Sequence, residues 1–204
     1  MMSMMTVRNV GAPKPFYNLV RIELLYCQSC QQLPAFGHLP CLSDLSMYSM
    51  WSVTSIGDEF YHSSNDVEVR APTAFPVLRE LNIFSFENLT KWEPPISPML
   101  GKISTPVTTA FPLLEMLRIE ECAKLVQTQT NFPSLRHLQV DKSLRGLALY
   151  NVLRDSSNAL TSLNINEGEE LSNLPDELIN CMSLEIWNPG LLHYFASPLL
   201  IVQH

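Results

Sequence analysis

The first residues in this chain whose types and spacing could do chemistry are its cysteines. Cys27 and Cys30 form a C-x-x-C pair, but a structural zinc site needs a second ligand pair. Five cysteines are an odd number without framework spacing, which is typical of reduced thiols in a cytoplasmic or nuclear protein. We expect a structural role for Cys27 and for Cys122, in which each residue satisfies the backbone of a turn, with metal binding by the C-x-x-C pair as the alternative.

A short acidic motif, GDEF at positions 57–60, resembles the signature of cyclic-dinucleotide synthases. Only one glycine precedes its acid pair, and no surrounding α/β sheet is evident, so we interpret the motif as coincidence. The five histidines are scattered, and the chain has no nucleophile elbow or paired-histidine metal motif. The sequence therefore predicts that the chain is not an enzyme, with no catalytic or metal-binding residues.

Charge and hydropathy exclude further classes of function. The formal net charge is −7, and only 13 lysines and arginines are spread over 204 residues, whereas nucleic-acid binding needs clustered basic residues. No apolar run reaches the roughly 18 residues of a membrane-spanning helix. We therefore expect no nucleic-acid partner and no membrane span, and we expect a cytoplasmic location.

The elements that position any site are indicated by a repeated phrase. The chain reads AFPVLRELNI at 74–83, AFPLLEMLRI at 110–119 and NFPSLRHLQV at 131–140. Repetition at intervals predicts a repeated structural unit. Each Phe precedes a Pro, which cannot continue a helix, and we expect the ring to pack in the core and the Pro to begin an extended segment that leads into a strand.

Six leucines mark the origins of the repeats, at intervals of 23, 36, 36, 21 and 25 residues: Leu19, Leu42, Leu78, Leu114, Leu135 and Leu160. The 36-residue intervals fit the 20–29-residue leucine-rich repeat if about 12 residues are inserted. Apolar residues recur three and five positions after each origin. Because these two positions are two apart, they share the inward face of a short strand. Apolar residues 11 and 14 positions after most origins close each unit, with Thr128 and Leu149 as breaks in the pattern.

The phrases FPSLRHLQV and LRIEECAKL, and the segment LSNLPDELINCMSLEIW, resemble the leucine-rich-repeat region of plant coiled-coil nucleotide-binding leucine-rich-repeat (NBS-LRR) disease resistance proteins. The resemblance covers 17–187. It implies an α/β repeat solenoid, a leucine-rich-repeat horseshoe with a parallel concave β-sheet and an irregular or short helical convex side. Residues 1–16 are then an N-terminal extension, 188–204 are a divergent tail, and inserted loops lie near 62–73 and 93–109.

The same resemblance implies a protein-recognition and autoinhibitory module of an intracellular immune receptor. Its partners would be a pathogen effector or a guarded host protein, and the receptor's own nucleotide-binding domain. No phosphate loop is present, because Ile103 follows Gly101 and Lys102. ADP or ATP is therefore expected only in the nucleotide-binding domain of a full-length receptor, and this chain is expected to hold no cofactor. The alternative is a substrate adaptor of an F-box ubiquitin ligase.

Residues that alternate with the inward positions would face outward on the concave sheet and bind a protein partner. Tyr48, Phe84 and Met116 are the expected anchors, because aromatic and methionine side chains are enriched at the centres of interfaces. The full predicted surface is Arg21, Glu23, Asp44, Tyr48, Glu80, Asn82, Phe84, Met116, Arg118, Glu120, His137, Gln139, Asp141, Ser162, Asn164 and Asn166.

Overall fold

The computed structural model describes residues 16–62, 73–95, 109–128, 132–141, 143–144, 146–156 and 159–166, and the backbone of 183–186. The predicted extension at 1–16, except Phe16, and the predicted tail at 188–204 lie outside these residues. So do 63–72 and 96–108, which make up most of the two predicted inserts.

Seven five- or four-residue strands form one parallel sheet. The strands are β1 (Arg21–Leu25), β2 (Asp44–Tyr48), β5 (Glu80–Phe84), β8 (Met116–Glu120), β9 (His137–Asp141), β10 (Ser162–Asn166) and β11 (Ser183–Ile186). Their order in the sheet is their order in the chain. Every pairing is parallel, so each connection returns to the same end of the sheet before the next strand begins.

The connections contain smaller elements. Two short parallel ladders pair β3 (Ser55–Ile56) with β6 (Lys91–Trp92) and β4 (Thr73–Ala74) with β7 (Thr109–Ala110). A one-turn helix, α1 (Asp58–Tyr61), follows β3, and a longer helix, α2 (Gly146–Ser156), joins β9 to β10. The ladders pair residues 36 positions apart, so the two long repeats share an ordered framework beyond the main sheet.

The predicted register is confirmed in the main sheet. Leu45 pairs with Leu81 and Leu81 with Leu117, and the series continues through Leu138 to Leu163. These five side chains are at most 1% exposed. Side chains alternate between the two faces of a strand, so the residues between them lie on the opposite face. The sheet therefore has one face in the core and one face with partly exposed side chains.

Each of the first four long strands ends in the same turn. The next residue, Tyr26, Ser49, Ser85 or Glu121, has a φ of 54 to 59°, in the left-handed region that L-residues other than Asn and Asp seldom adopt. The residue after that is Cys27 in the first unit and Cys122 in the fourth. Their thiols donate to the carbonyls of Leu25 and Glu120 at 3.7 and 3.3 Å, which is the structural role that the sequence predicted for them.

The Phe-Pro pairs depart from expectation in their backbone. We predicted an extended lead into the strand, but Phe75 and Phe111 have φ values of 52 and 54° and begin a turn. The amides of Leu78 and Leu114 donate back to these Phe carbonyls, both at 3.4 Å. A left-handed residue costs about 1–2 kcal/mol. Burying a phenylalanine ring contributes about 1.5–3 kcal/mol, so burial of the ring offsets the strained turn.

The rings of the Phe-Pro pairs form a stack that runs from repeat to repeat, a contact that the sequence did not predict. Phe75 and Phe111 are stacked with centroids 4.9 Å apart, and Phe132 lies 5.8 Å from Phe111. Tyr61 and Trp92 pack edge-on against Phe111, each at 5.8 Å. All five side chains are fully buried, so this aromatic stack holds neighbouring repeats together.

Gly37 allows the chain to approach α1 closely. A Cβ atom at this position would lie 2.3 Å from the carbonyl oxygen of Tyr61, which is less than any real contact allows. The Gly37 amide donates to the Phe60 carbonyl, and the Gly37 carbonyl accepts from the Phe75 amide at 2.7 Å. The absence of a side chain thus lets Gly37 join α1 to the beginning of the aromatic stack.

Helix α2 was not predicted from the sequence. Its buried residues, Ala148, Leu149, Val152 and Leu153, recur at helical spacing on one face, whereas Leu147 is 64% exposed. Leu149 is therefore part of the core, although we expected it to break the apolar pattern. Thr128 is also buried, and its hydroxyl is satisfied there because it donates to the carbonyl of Ala148 at 2.9 Å. Among the described residues, no helix is long and apolar enough to cross a bilayer.

A buried hydrogen-bond pair within the aromatic stack gives a testable expectation. Trp92 Nε1 donates to the Tyr61 hydroxyl at 2.8 Å, and that hydroxyl donates to the Glu93 carbonyl at 2.9 Å. We expect Tyr61→Phe to lower the free energy of unfolding by about 1–3 kcal/mol, because it leaves a buried indole N–H without an acceptor. Urea unfolding followed by tryptophan fluorescence measures the change. The control is a double-mutant cycle that adds Trp92→Phe and the variant with both changes. If the double variant loses as much free energy of unfolding as the two single variants together, the pairing is contradicted.

Candidate protein-binding surface

The face of the main sheet that points away from the core carries three rows of side chains across the strands. The first row contains the first residue of each strand, the second the third residue, and the third the fifth. In the third row, Leu25 pairs with Tyr48, Tyr48 with Phe84, and Phe84 with Glu120. Neighbouring strands lie about 4.8 Å apart, so each row is a continuous line of adjacent side chains.

All sixteen residues predicted for the surface lie in these rows. The first row holds Arg21, Asp44, Glu80, Met116, His137 and Ser162; the second holds Glu23, Asn82, Arg118, Gln139 and Asn164; the third holds Tyr48, Phe84, Glu120, Asp141 and Asn166. The prediction omitted Leu25 and Ser46, which complete the rows on β1 and β2. Both could have been found from the repeat register alone, since they lie six and four residues after their origins.

Cross-strand polar contacts organise the first two rows. Arg21 Nη2 lies 3.3 Å from Asp44 Oδ1, and Arg118 Nη1 lies 3.4 Å from Glu80 Oε1. Both pairs are partly exposed, so each stabilises the fold only weakly. Their main effect is on the surface charge, because each pair cancels one positive and one negative group.

Two residues of the predicted surface also have structural roles. Asn82 is only 8% exposed, and its Nδ2 donates to Ser46 Oγ at 2.9 Å and to Glu80 Oε1 at 3.0 Å. Asp141 Oδ2 accepts from the Glu121 amide, and its Oδ1 accepts from the Ser143 amide, both at 3.0 Å. Asn82 is thus largely covered by its neighbours, and Asp141 holds the turns after β8 and β9.

The third row is apolar on its first three strands, acidic on the next two, and ends in the neutral Asn166 on β10. Leu25 is 52% exposed, and Tyr48 and Phe84 are half-buried with ring centroids 6.1 Å apart. Tyr26, which follows Leu25, is 68% exposed. Glu120 comes next in the row and accepts from Gln139 Nε2 at 2.7 Å. We call Leu25, Tyr48, Phe84 and Glu120 the C-terminal row, because they lie at the carboxyl ends of their strands.

A shallow depression of about 150 Å³ lies over β8, β9 and β10. It exists because Ser162 and Asn164 have small side chains beside the longer Met116, Arg118 and His137. The depression has room for about one partner side chain. Met116, one of the three expected anchors, thus lies apart from Tyr48 and Phe84.

The described part of the chain contains no group of three or more His, Cys, Asp and Glu side chains that could hold a metal ion. Burial raises the pKa of the Cys122 thiol to about 12, so this thiol stays protonated and unreactive at neutral pH. Cys27 and Cys30 are free thiols in the structure.

The chain is similar in sequence to several known proteins. No family model matches the chain, and no solved structure matches it. RGA1 of Solanum bulbocastanum, whose name describes it as a disease resistance protein, is 31% identical over 169 residues, which is 81% of this chain and 14% of the relative. The disease resistance RPP13-like protein 1 of Arabidopsis thaliana is 30% identical over 191 residues, 86% of this chain and 17% of the relative.

A third relative, RGA4 of Solanum bulbocastanum, also bears the name of a disease resistance protein and is 28% identical over 172 residues, 81% of this chain and 15% of the relative. The chain thus spans about a sixth of the length of these relatives. The resemblance drawn from the repeated phrases is confirmed by these matches, which extend over four fifths of the chain. The chain belongs to the plant disease resistance proteins and corresponds to one region of such a protein.

Proposed function

We propose that the chain is a leucine-rich-repeat module that recognises another protein in plant defence. In this proposal the main sheet lines the concave side of a horseshoe-shaped solenoid, and the ladders, α1 and α2 form its convex side. The support is the register: residues at equal positions in successive repeats pair across five neighbouring strand pairs of the sheet. A repeat array of this kind buries only its inner face and leaves the strand face free for a partner.

The chain acts by binding and not by catalysis. A pathogen effector or a guarded host protein is the external partner, and the nucleotide-binding domain of a full-length receptor is the internal, autoinhibited one. The names of the relatives support a role in disease resistance over that of an F-box substrate adaptor. The receptor would work in the cytoplasm, and ADP or ATP would bind in the nucleotide-binding domain.

The observation that carries the proposal is the difference between the inward and outward positions of the strands. From β2 to β10 the inward positions are apolar and buried, whereas the outward positions differ from repeat to repeat in charge, size and polarity. A rigid framework with varied outward side chains fits recognition, since the outward residues can change without loss of the core.

Site-specific photocrosslinking tests the proposal. A benzophenone amino acid at Gln139, on the strand face, is expected to capture protein partners in plant cells that express the chain. The matched control carries the same group at Val126, which is 63% exposed but lies outside the main sheet. Equal capture at both positions, or capture only at Val126, would show that the strand face is not the recognition surface.

A further inference from the structure

We propose that the C-terminal row binds a linear protein segment in which an apolar side chain lies close to a lysine or arginine. This inference rests on the proposed function and names the chemical class of the partner. It is carried by the order of side chains along one row, which changes from leucine, tyrosine and phenylalanine to glutamate across four adjacent strands.

The apolar side chains of the row lie outside the buried core. The inward residues of the same strands, Leu45, Met47 and Ile83, are at most 1% exposed and complete the core, while Leu25 remains 52% exposed. Tyr48 and Phe84 lie on the outer face with their rings in contact with each other. Rigid aromatic side chains at adjacent positions are typical of the centres of protein interfaces.

The acidic half of the row selects the charge of the partner. On the described strand face, Arg21 and Arg118 are each paired with a carboxylate. Within the described part of the chain, the Glu120 carboxylate accepts a hydrogen bond from the neutral Gln139, and the Asp141 carboxylate accepts from two backbone amides and a hydroxyl. Neither charge is cancelled by these bonds, so a basic group is attracted to this end of the row and an acidic group is repelled.

Strand spacing sets the spacing within the partner. Glu120 lies one strand beyond Phe84 and Asp141 two strands beyond it, which corresponds to about 5 and 10 Å. An extended segment covers about 6.6 Å in two residues, and side chains four apart on a helix are about 6 Å apart. The apolar and basic side chains of the partner are therefore expected within about four residues of each other.

A random peptide library displayed on phage and selected against the immobilised full chain tests this inference. We expect recovered peptides to pair an aromatic or aliphatic residue with a nearby Lys or Arg. Tyr48→Ser should weaken their binding about tenfold or more, and Leu25→Ser should weaken it too. Glu120→Gln should weaken it about threefold and make it less sensitive to salt.

The matched control for Glu120→Gln is Glu87→Gln, which removes an exposed carboxylate that lies outside the main sheet. This variant should bind the recovered peptides like the unmodified chain. Circular dichroism verifies that each variant is folded. Because Leu25 lies at a more exposed position than Tyr48, its variant tests the row even if Tyr48→Ser fails to fold.

Several outcomes would overturn the inference. They are a selection that yields no peptides, one that yields acidic peptides, and binding that survives both Tyr48→Ser and Leu25→Ser. Self-association of the chain in analytical ultracentrifugation that Tyr48→Ser abolishes would mean that a second copy occupies the row instead. In each case crosslinking from Gln139 can still succeed, so failure of this inference is distinguishable from failure of the proposed function.

Discussion

Replacing Leu138 with aspartate is expected to abolish folding. Leu138 is 1% exposed and lies in the ladder of inward leucines, between Leu117 and Leu163. A carboxylate there would lie in the core without a partner, at a cost of about 4 kcal/mol or more. Loss of the buried leucine side chain costs about 2–5 kcal/mol more, and a domain is stable by only about 5–15 kcal/mol, so most of the stability would be lost. Far-ultraviolet circular dichroism and the loss of a cooperative thermal transition measure the effect.

The control for this change is His137→Asp in the same strand. His137 is exposed and points to the opposite face, so the new carboxylate remains in water. We expect a change of at most about 0.5 kcal/mol. Equal loss of structure in both variants would contradict the assignment of faces on which the surface and its proposed function depend.

Replacing Phe111 with alanine is expected to have the second largest effect. Phe111 contacts four other rings, those of Tyr61, Phe75, Trp92 and Phe132, with centroids 4.9 to 5.8 Å away. Loss of a buried phenylalanine costs about 3–5 kcal/mol. Backbone strain contributes little to the difference, because alanine is no better suited than phenylalanine to a φ of 54°. Chemical unfolding followed by tryptophan fluorescence gives the change in free energy.

Leu113→Ala provides a matched truncation in the same turn. Leu113 is 41% exposed and lies outside the aromatic stack, so its loss is expected to cost about 0.5 kcal/mol or less. If Leu113→Ala were as destabilising as Phe111→Ala, the stability of this region would reside in the turn itself, and the aromatic stack would not join the repeats.

The periodicity of single residues predicted the main sheet with the correct register. Strand side chains alternate with a period of two, so a buried pair such as Leu117 and Ile119 fixes which residues face outward. The same periodicity placed Glu80 and Arg118 on one face but could not show that they pair with each other. That contact depends on which strands are adjacent in the sheet and on the side-chain conformations there. The sequence indicates only the order of the repeats.

Features outside the periodic phrase were harder to predict. The turn at Phe75 contradicts the usual preference of a residue before proline for extended conformation, because burial of its ring in the aromatic stack prevails over local preference. Helix α2 was overlooked although Ala148, Leu149, Val152 and Leu153 have helical spacing. The register derived from the strands treated Leu149 as a break in the apolar pattern, although its side chain is buried.

The sequence by itself determined the repeats, the two faces of the strands and the relationship to plant disease resistance proteins, because these depend on residue types at fixed intervals along the chain. Only the tertiary structure decided that Asn82 and Asp141 are held by neighbouring repeats, that the Tyr48 and Phe84 rings contact each other, and that Glu120 accepts from Gln139. The physical reason is that such contacts depend on distances between side chains of different repeats, which only the stacking of strands establishes.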